Sequence, residues 1–163
     1  MKKGFTLMEL LIVMVIVTVL VTIAVPKYKA TMERGRGMEA INNAQAVSDA
    51  VNAHYIQNYT GSYASKEDLC LYAVGSSNCR NVMAGSGMAH VTHSDFFTHP
   101  EITIEGGKAI VSLERNGSNE AKKYTIIFVN KDGETAERYC TGNQTYCNVL
   151  GASRNRSGGG WSF

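Results

Sequence analysis

An unbroken apolar stretch at the N-terminus constrains this chain more than any other feature. From Phe5 to Val25 every residue is apolar or carries a hydroxyl group, except Glu9. A helix of about 20 residues extends about 30 Å, which is the thickness of the hydrocarbon layer of a bilayer. Backbone groups in lipid must bond to one another, so the stretch predicts a membrane-spanning helix despite its β-branched residues. Pro26 follows it and predicts a kink or a boundary.

The charges that flank the apolar stretch do not fix its orientation in a membrane. Basic residues stand on both sides of it: Lys2, Lys3, Lys27, Lys29, Arg34 and Arg36. The positive-inside rule therefore gives no clear answer. A secretory signal peptide cleaved after Ala24 and a plain single-span anchor are the two simpler interpretations. Glu9 fits neither of them, because neither kind of segment has a use for an acid at that place.

Glu9 is a candidate functional residue because a charge within a bilayer costs a few kcal/mol. If the chain is cut between Gly4 and Phe5, the new amino group on Phe5 is a cation at neutral pH. Glu9 would then lie about 6 Å from it along the helix axis. The carboxylate could pair with that amine in its own chain, or with the amine of a neighbouring chain displaced by about one turn. The alternative is an acid that only stabilises a helix N-terminus, by about 0.3–1 kcal/mol.

The residues around this cut resemble a known family. The run Lys3-Gly4-Phe5-Thr6-Leu7-Met8-Glu9-Leu10-Leu11, with the apolar stretch and Pro26 after it, is similar to the N-terminus of bacterial type IV pilins and of the related pseudopilins of type II secretion. The resemblance implies that a prepilin peptidase in the membrane cuts after Gly4 and methylates the amino group of Phe5. It also implies that Glu9 and Pro26 take part in assembly, with Glu9 acting in subunit docking and methylation.

A second, amphipathic section is predicted to continue the helix to about Asn58. Its apolar residues recur at spacings of three and four and form one stripe: Ala40, Ala44, Val47, Val51 and Tyr55, with Ile41 beside them. The polar residues are assigned mostly to other faces: Asn42, Asn43, Ser48, Asp49 and Asn52. Gly35 and Gly37 weaken the start of this section and suggest a bend there. The run from Tyr59 to Tyr63 is a weaker match to the segment after the long helix in many pilins.

Residues 101–140 predict an antiparallel meander of four strands. The strands are expected at 101–105, 108–114, 123–130 and 134–140, with Gly106-Gly107 and Asp132-Gly133 as two-residue turns. The fold class is therefore α+β: a long N-terminal helix packed on a four-stranded sheet, followed by a disulfide-stapled C-terminal loop region. The chain would divide into a leader (1–4), a membrane or filament-core half of the helix (5–26), an amphipathic half (27–58), a connecting loop region (59–100), the sheet (101–140) and a tail (141–163).

The four cysteines predict disulfides if the body of the chain lies outside the cytosol. They are Cys70, Cys79, Cys140 and Cys147, and none forms a CxxC pair. Four cysteines allow three pairings. We favour Cys70–Cys79 and Cys140–Cys147, because both close short, polar, loop-like stretches.

Three other clusters suggest sites, but none has a diagnostic pattern. His90, His93, Asp95 and His99 could be drawn as a metal site, and Asn130, Asp132 and Glu134 echo a fragment of a calcium loop. Arg154, Arg156 and Trp161 form a basic, aromatic tail that could touch DNA or a surface, although it is more simply a cover for the sheet edge. We expect no metal, no cofactor and no catalytic residue, since no phosphate-loop, G-x-S-x-G or H-E-x-x-H motif is present.

Charge gives no reason to propose nucleic acid as the main partner. The chain has 16 basic and 14 acidic residues, and Lys2 and Lys3 account for the difference. The resemblance instead implies a structural protein that waits in the bacterial inner membrane, is trimmed after Gly4, and joins other copies of itself in an extracellular filament with the help of an inner-membrane assembly platform. A type II secretion pseudopilin, a minor pilin that binds DNA or a surface, and a soluble secreted protein are the alternatives.

Overall fold

The computed structural model describes residues 5–58, 62–63, 95–98, 100–117 and 123–163. Within these residues the helices are α1 (Leu7–Asn58) and α2 (Gln144–Leu150). The strands are β1 (Glu101–Glu105), β2 (Lys108–Glu114), β3 (Tyr124–Lys131), β4 (Glu134–Gly142), β5 (Arg154–Asn155) and β6 (Trp161–Ser162). A long N-terminal helix packed on an antiparallel sheet confirms the predicted α+β class.

Helix α1 is one continuous element that joins the apolar and amphipathic sections of the sequence. Pro26 lies inside it and does not end it. Gly37 has a packing role that its low helix propensity did not suggest, because a Cβ atom there would lie 2.0 Å from a methyl carbon of Leu150. The missing side chain at Gly37 therefore lets α2 approach α1 closely.

The predicted stripe on α1 forms one side of the hydrophobic core. Ala40, Ala44, Val47 and Val51 are fully buried, and Ile41 and Tyr55 are partly buried beside them. They pack against the inward side chains of the sheet: Val111, Leu113, Ile126 and Phe128. We refer to this folded unit, made of residues 27–58 of α1 with the sheet and α2, as the head.

In the described part of the chain the sheet has six antiparallel strands in the order β1-β2-β3-β4-β6-β5, so the prediction of four strands is wrong in number. Its first four strands match the predicted meander closely, and positive φ angles at Asp132 (53°) and Gly133 (84°) make the turn between β3 and β4. The tail supplies the two further strands, with Trp161 of β6 opposite Cys140 of β4. Strands of two residues are too short to show an alternating pattern in a sequence.

A disulfide between Cys140 and Cys147 ties the end of β4 to α2, as the sequence predicted. Both cysteines are fully buried. Cys70 and Cys79, the other predicted pair, lie outside the residues that the structure describes.

Replacing both Cys140 and Cys147 by Ala should lower the free energy of unfolding by about 2–3 kcal/mol, because the crosslink no longer restricts the unfolded chain. Urea unfolding of the full chain in a neutral detergent measures the change. Adding a reducing agent to the double variant should then cost less stability than adding it to the original protein. An unchanged unfolding midpoint in the double variant would contradict a stabilising role for this disulfide.

Candidate functional site

The apolar half of α1 is exposed along its whole length. Every described residue from Phe5 to Met32 is exposed, and Phe5 retains 85% of its accessible surface. By length and composition, α1 is able to cross a membrane: its most apolar window has a mean hydropathy of 2.8, and none of that window is buried. Soluble monomers rarely expose a continuous apolar surface of this extent. This half of the helix is therefore an exposed apolar surface of the kind that contacts lipid or other protein.

The polar groups within this surface are satisfied by the helix itself. Thr18 Oγ1 donates to the carbonyl of Val15 at 2.8 Å, and Thr22 Oγ1 donates to the carbonyl of Val19 at 2.7 Å. Because of these bonds, neither hydroxyl group would be an unsatisfied hydrogen-bond donor in an apolar environment. Between Phe5 and Pro26, Glu9 is the only charged residue.

Glu9 forms a reciprocal cap with Thr6 at the start of α1. The backbone N–H of Thr6 donates to Glu9 Oε2 at 2.8 Å, and the Thr6 hydroxyl donates to the same oxygen at 2.9 Å. In return, the backbone N–H of Glu9 donates to Thr6 Oγ1 at 3.3 Å. This is the capping box of a Thr-x-x-Glu sequence, a local signal for the start of a helix that the prediction of α1 had missed.

The cap places the carboxylate beside the predicted cut. Phe5 is the residue immediately before Thr6, so an amino group created on Phe5 would lie next to the helix N-terminus. The cap also shows that Glu9 has a role within its own chain. Any pairing of Glu9 with a neighbour must therefore be distinguished from helix capping.

A second carboxylate, that of Glu33, joins α1 to the sheet. Glu33 is only 8% exposed. Its Oε1 accepts from Arg115 Nε at 2.6 Å and from the Tyr124 hydroxyl at 3.0 Å, and its Oε2 accepts from an Arg115 amino group at 3.2 Å. Arg36 approaches the same carboxylate at 3.6 Å. The two-point contact with Arg115 fixes both the position and the rotation of α1 on the head.

Arg115 links Glu33 on α1 to two further segments of the head. One of its amino groups donates to the carbonyls of Phe96 and Asn116, each at 2.8 Å. The Phe96 ring lies 4.1 Å from the guanidinium of Arg36. This contact network therefore joins α1, the end of β2 and the segment at 95–98. A chain of contacts between residues so distant in sequence could not be read from the sequence.

The electrostatics of the Glu33 cluster keep the carboxylate ionised. Burial alone would raise the pKa of Glu33, but hydrogen bonds from Arg115 and Tyr124 and the charges of Arg115 and Arg36 outweigh it and lower the pKa. Burial and the neighbouring Glu33 raise the pKa of Tyr124, whose hydroxyl therefore remains a donor. The cluster is a structural ion pair that is stable at neutral pH.

A neutral polar cluster lies deeper between α1 and the sheet. Asn130 is fully buried and its amide group donates to Ser48 Oγ at 3.3 Å and to the carbonyl of Ala109 at 3.2 Å. Its side-chain oxygen accepts from Asn52 at 3.2 Å and from Thr135 at 2.9 Å. Ser48 and Asn52 are buried, so assigning them to other faces of the helix was wrong. Their partners lie on distant strands, which a local pattern of apolar residues does not reveal.

This cluster explains why Asn130 and Asp132 resemble part of a calcium-binding loop. Asn130 faces the core, while Asp132 and Gly133 form the turn of a hairpin. The backbone N–H of Gly133 donates to the Tyr63 hydroxyl at 3.0 Å. The fragment is therefore a buried amide followed by a tight turn.

The other predicted sites are placed only in part. Among the residues that the structure describes, no three histidines, cysteines or carboxylates come together as a metal site. Gly4, His90, His93 and His99 lie outside those residues. Arg154, Arg156 and Trp161 are placed on the β5–β6 hairpin at the edge of the sheet, as the covering interpretation of the tail expected.

Comparison with known proteins identifies the N-terminal segment. Residues 1–25 match the family model of the prokaryotic N-terminal methylation motif. A fimbrial protein of Neisseria meningitidis is 33% identical over 96 residues, which cover 55% of this chain and 56% of that protein. A type IV major pilin of Neisseria gonorrhoeae is 41% identical over 56 residues, which cover 34% of each chain.

A longer alignment includes the head. A fimbrial protein of Pseudomonas aeruginosa is 25% identical over 133 residues, which cover 82% of this chain and 81% of that protein. The two Neisseria alignments, in contrast, span only 56% and 34% of the lengths of those proteins. No solved structure matches the chain.

Proposed function

We propose that this chain, as a member of the type IV pilin family, is a structural subunit of an extracellular pilus filament. The observation that carries the proposal is the apolar half of α1, which is exposed along its length while the head closes its own core around the other half of the same helix. The first half therefore needs an environment that the chain does not supply to itself. Lipid would be that environment before assembly, and the helices of other copies would be afterwards.

A filament follows from the shape of such a contact. If the apolar half of one helix lies beside the apolar halves of neighbours displaced along the axis, the interface is head-to-tail and does not close. Repeating it produces a fibre, with the helices in the centre and the heads outside. Moving a helix from lipid into this core costs little if packing against other helices replaces its lipid contacts. An inner-membrane assembly platform would supply the work of extraction.

Processing is proposed to occur between Gly4 and Phe5. A prepilin peptidase would remove residues 1–4 and methylate the amino group of Phe5, consistent with the methylation motif matched by residues 1–25. Phe5 precedes the capping residue Thr6, and α1 begins at Leu7. The cut would thus create the new terminus just outside the first turn of the helix.

Glu9 is proposed to pair with the amino terminus of Phe5 in a neighbouring subunit during docking. Its carboxylate already accepts two hydrogen bonds from Thr6 at the helix N-terminus. An ammonium group at about 4 Å would add a Coulomb interaction of roughly 4 kcal/mol at an effective dielectric constant near 20, before the cost of desolvation is subtracted. Pairing with this ammonium group would offset the free-energy cost of burying the Glu9 carboxylate among apolar helices.

Intact mass spectrometry of the protein isolated from its natural host tests the processing step. We expect a mass that lacks Met1 to Gly4 and carries one added methyl group, because the peptidase would perform both reactions. A chain that starts at Val25 would indicate secretion by an ordinary signal peptidase and would contradict the proposal.

Immunogold electron microscopy of sheared surface material distinguishes the kinds of subunit. A major pilin would label the fibre along its length, and a minor pilin would label it sparsely. A secretion pseudopilin would give no labelled surface fibres under ordinary expression. The first pattern is the one that we expect.

A further inference from the structure

A short exposed stretch of α1 separates the apolar half from the head. The apolar stretch ends before Pro26, and the first buried residue after it is Glu33, which joins the helix to the sheet. Every residue from 27 to 32 is exposed. At the rise of an α-helix this stretch is about 9 Å long. It belongs neither to the apolar surface nor to the packed core, and we call it the collar.

The collar lies where the headgroups of a bilayer would be. If the apolar half spans the hydrocarbon layer, the collar begins at the boundary of that layer. The headgroup region on each side of the hydrocarbon is about 5–8 Å thick. The collar is slightly longer than this, so the head would begin just outside the headgroups. Tyr28 is exposed in the collar, and tyrosine is enriched at this level of a membrane.

The collar carries positive charge that the chain itself does not neutralise. Lys27 and Lys29 lie within it, and the exposed Arg34 lies one residue beyond Glu33. In the part of the chain that the structure describes, none of these three basic residues forms an ion pair. Arg36, in contrast, lies beside the carboxylate of Glu33. Three positive charges at the base of the head are therefore available to a partner.

We propose that the collar binds the headgroups of anionic phospholipids, an inference that rests on the membrane-bound state in the proposed function. Lysine and arginine near a membrane surface are attracted to anionic lipids. Their long side chains are able to reach the headgroups from a helix that stands upright in the membrane. Lys27 and Arg34 are seven residues apart and lie on one side of α1, while Lys29 lies on the opposite side. Charges on both sides suit headgroups, because lipids surround a membrane-spanning helix.

The net charge of the whole chain would not produce this preference. The chain has 16 basic and 14 acidic residues, so the loss of Lys2 and Lys3 with the leader leaves 14 of each. A trimmed subunit with equal numbers of both has no general attraction to an anionic surface. The attraction therefore depends on the position of the basic residues in the collar. Anionic headgroups would also give a role to the basic residues that follow the apolar stretch, which the positive-inside rule does not explain.

Electron spin resonance of spin-labelled lipids tests the proposal with the full chain reconstituted in phosphatidylcholine vesicles. The probes are spin-labelled phosphatidylglycerol, which is anionic, and spin-labelled phosphatidylcholine, and the measured quantity is the ratio of their association constants with the chain. The original chain should prefer phosphatidylglycerol by about threefold or more at low salt, because unpaired basic residues lie at headgroup level. The preference should disappear in about 1 M salt, which screens exposed charges.

The double variant Lys27→Gln, Lys29→Gln should reduce this ratio to about half of the original value or less, because it removes two charges from the collar. Lys108→Gln with Lys131→Gln is the matched control. These two lysines are exposed and lie opposite each other on β2 and β3. The β3–β4 turn next to them packs against Ile56, about 45 Å beyond the apolar stretch along the helix axis. The control should therefore keep the original ratio.

Flotation of each chain with the vesicles separates this proposal from the proposed function. Every variant should float, because the apolar half is unchanged, and an original chain that did not float would overturn both proposals. An original chain that floats without preferring phosphatidylglycerol would overturn only the lipid proposal. Equal losses in the collar variant and the control would do the same, since they would indicate attraction to net charge. Lys2 and Lys3 are present in every chain, so their contribution cancels.

Contact with a neighbouring subunit is the other use that the collar could have. In that case the collar variant would keep the preference for phosphatidylglycerol and enter filaments less efficiently than the control. This result would overturn the lipid proposal and leave the proposed filament intact.

Discussion

Glu9→Gln will reduce incorporation of this chain into filaments by at least about tenfold, while the head folds normally. The glutamine side chain is still able to accept hydrogen bonds from Thr6, which Glu9 receives at 2.8 and 2.9 Å. It has no negative charge to offer a neighbouring amino terminus, and an interaction of roughly 4 kcal/mol before desolvation would be lost. The measurement is the ratio of polymerised to membrane-bound subunit after shearing, by quantitative immunoblot.

Thr6→Ala separates the two roles of Glu9. This change removes the hydroxyl that completes the cap but keeps the charge of Glu9, so helix stability should fall by about 0.5–2 kcal/mol. Incorporation should stay close to that of the original chain. Glu39→Ala, at an exposed position of α1 beyond the apolar half, is the control for removing a glutamate. Normal fibres from Glu9→Gln would reduce the role of Glu9 to helix capping.

Glu33→Ala will lower the free energy of unfolding of the head by about 3–5 kcal/mol, the usual cost of breaking a buried ion pair by removing one partner. The loss is large because Arg115 and the Tyr124 hydroxyl would both lose their shared acceptor. Urea unfolding of the full chain in neutral detergent, followed by near-ultraviolet circular dichroism, measures it. Glu39→Ala should change the same quantity by less than about 0.5 kcal/mol.

A double-mutant cycle shows whether the effect belongs to the ion pair. The cost of Glu33→Ala should be much smaller in a chain that already carries Arg115→Ala, because the two side chains share one interaction. Equal costs in the two backgrounds would mean that Glu33 stabilises the head through other contacts. Such a result would contradict the role assigned to the Arg115 contact.

The same ion pair contributes to the acid sensitivity of the head. The pKa of Glu33 is lowered in the folded state, so the folded chain holds the proton less tightly than the unfolded chain. The stabilisation is complete at neutral pH. It declines as the pH falls through the ordinary pKa of a glutamate and is lost below the lowered folded value. In Glu33→Gln this part of the acid sensitivity should disappear.

Much of the fold was already present as local patterns in the sequence. The stripe from Ala40 to Val51 predicted the buried face of α1, and alternation with turn residues predicted the first four strands within two residues. These signals are readable because helix and strand periods report which side of an element is buried. The Thr6–Glu9 cap also belongs to this group, since its two residues are three positions apart and meet through helix geometry alone.

The connections between elements were decided only by the tertiary structure. Glu33 and Arg115 are separated by 82 positions, as are Ser48 and Asn130. The sequence around each residue does not indicate which distant residue it contacts. The strands of the β5–β6 hairpin are too short to show a pattern in the sequence, yet the hairpin places the guanidinium of Arg156 over the ring of Tyr139 on β4. The sequence by itself determined the exposed apolar helix, the cap at its start and the main strands, because these depend on neighbours along the chain. Only folding decided which polar groups are buried together, because their partners come from distant parts of it.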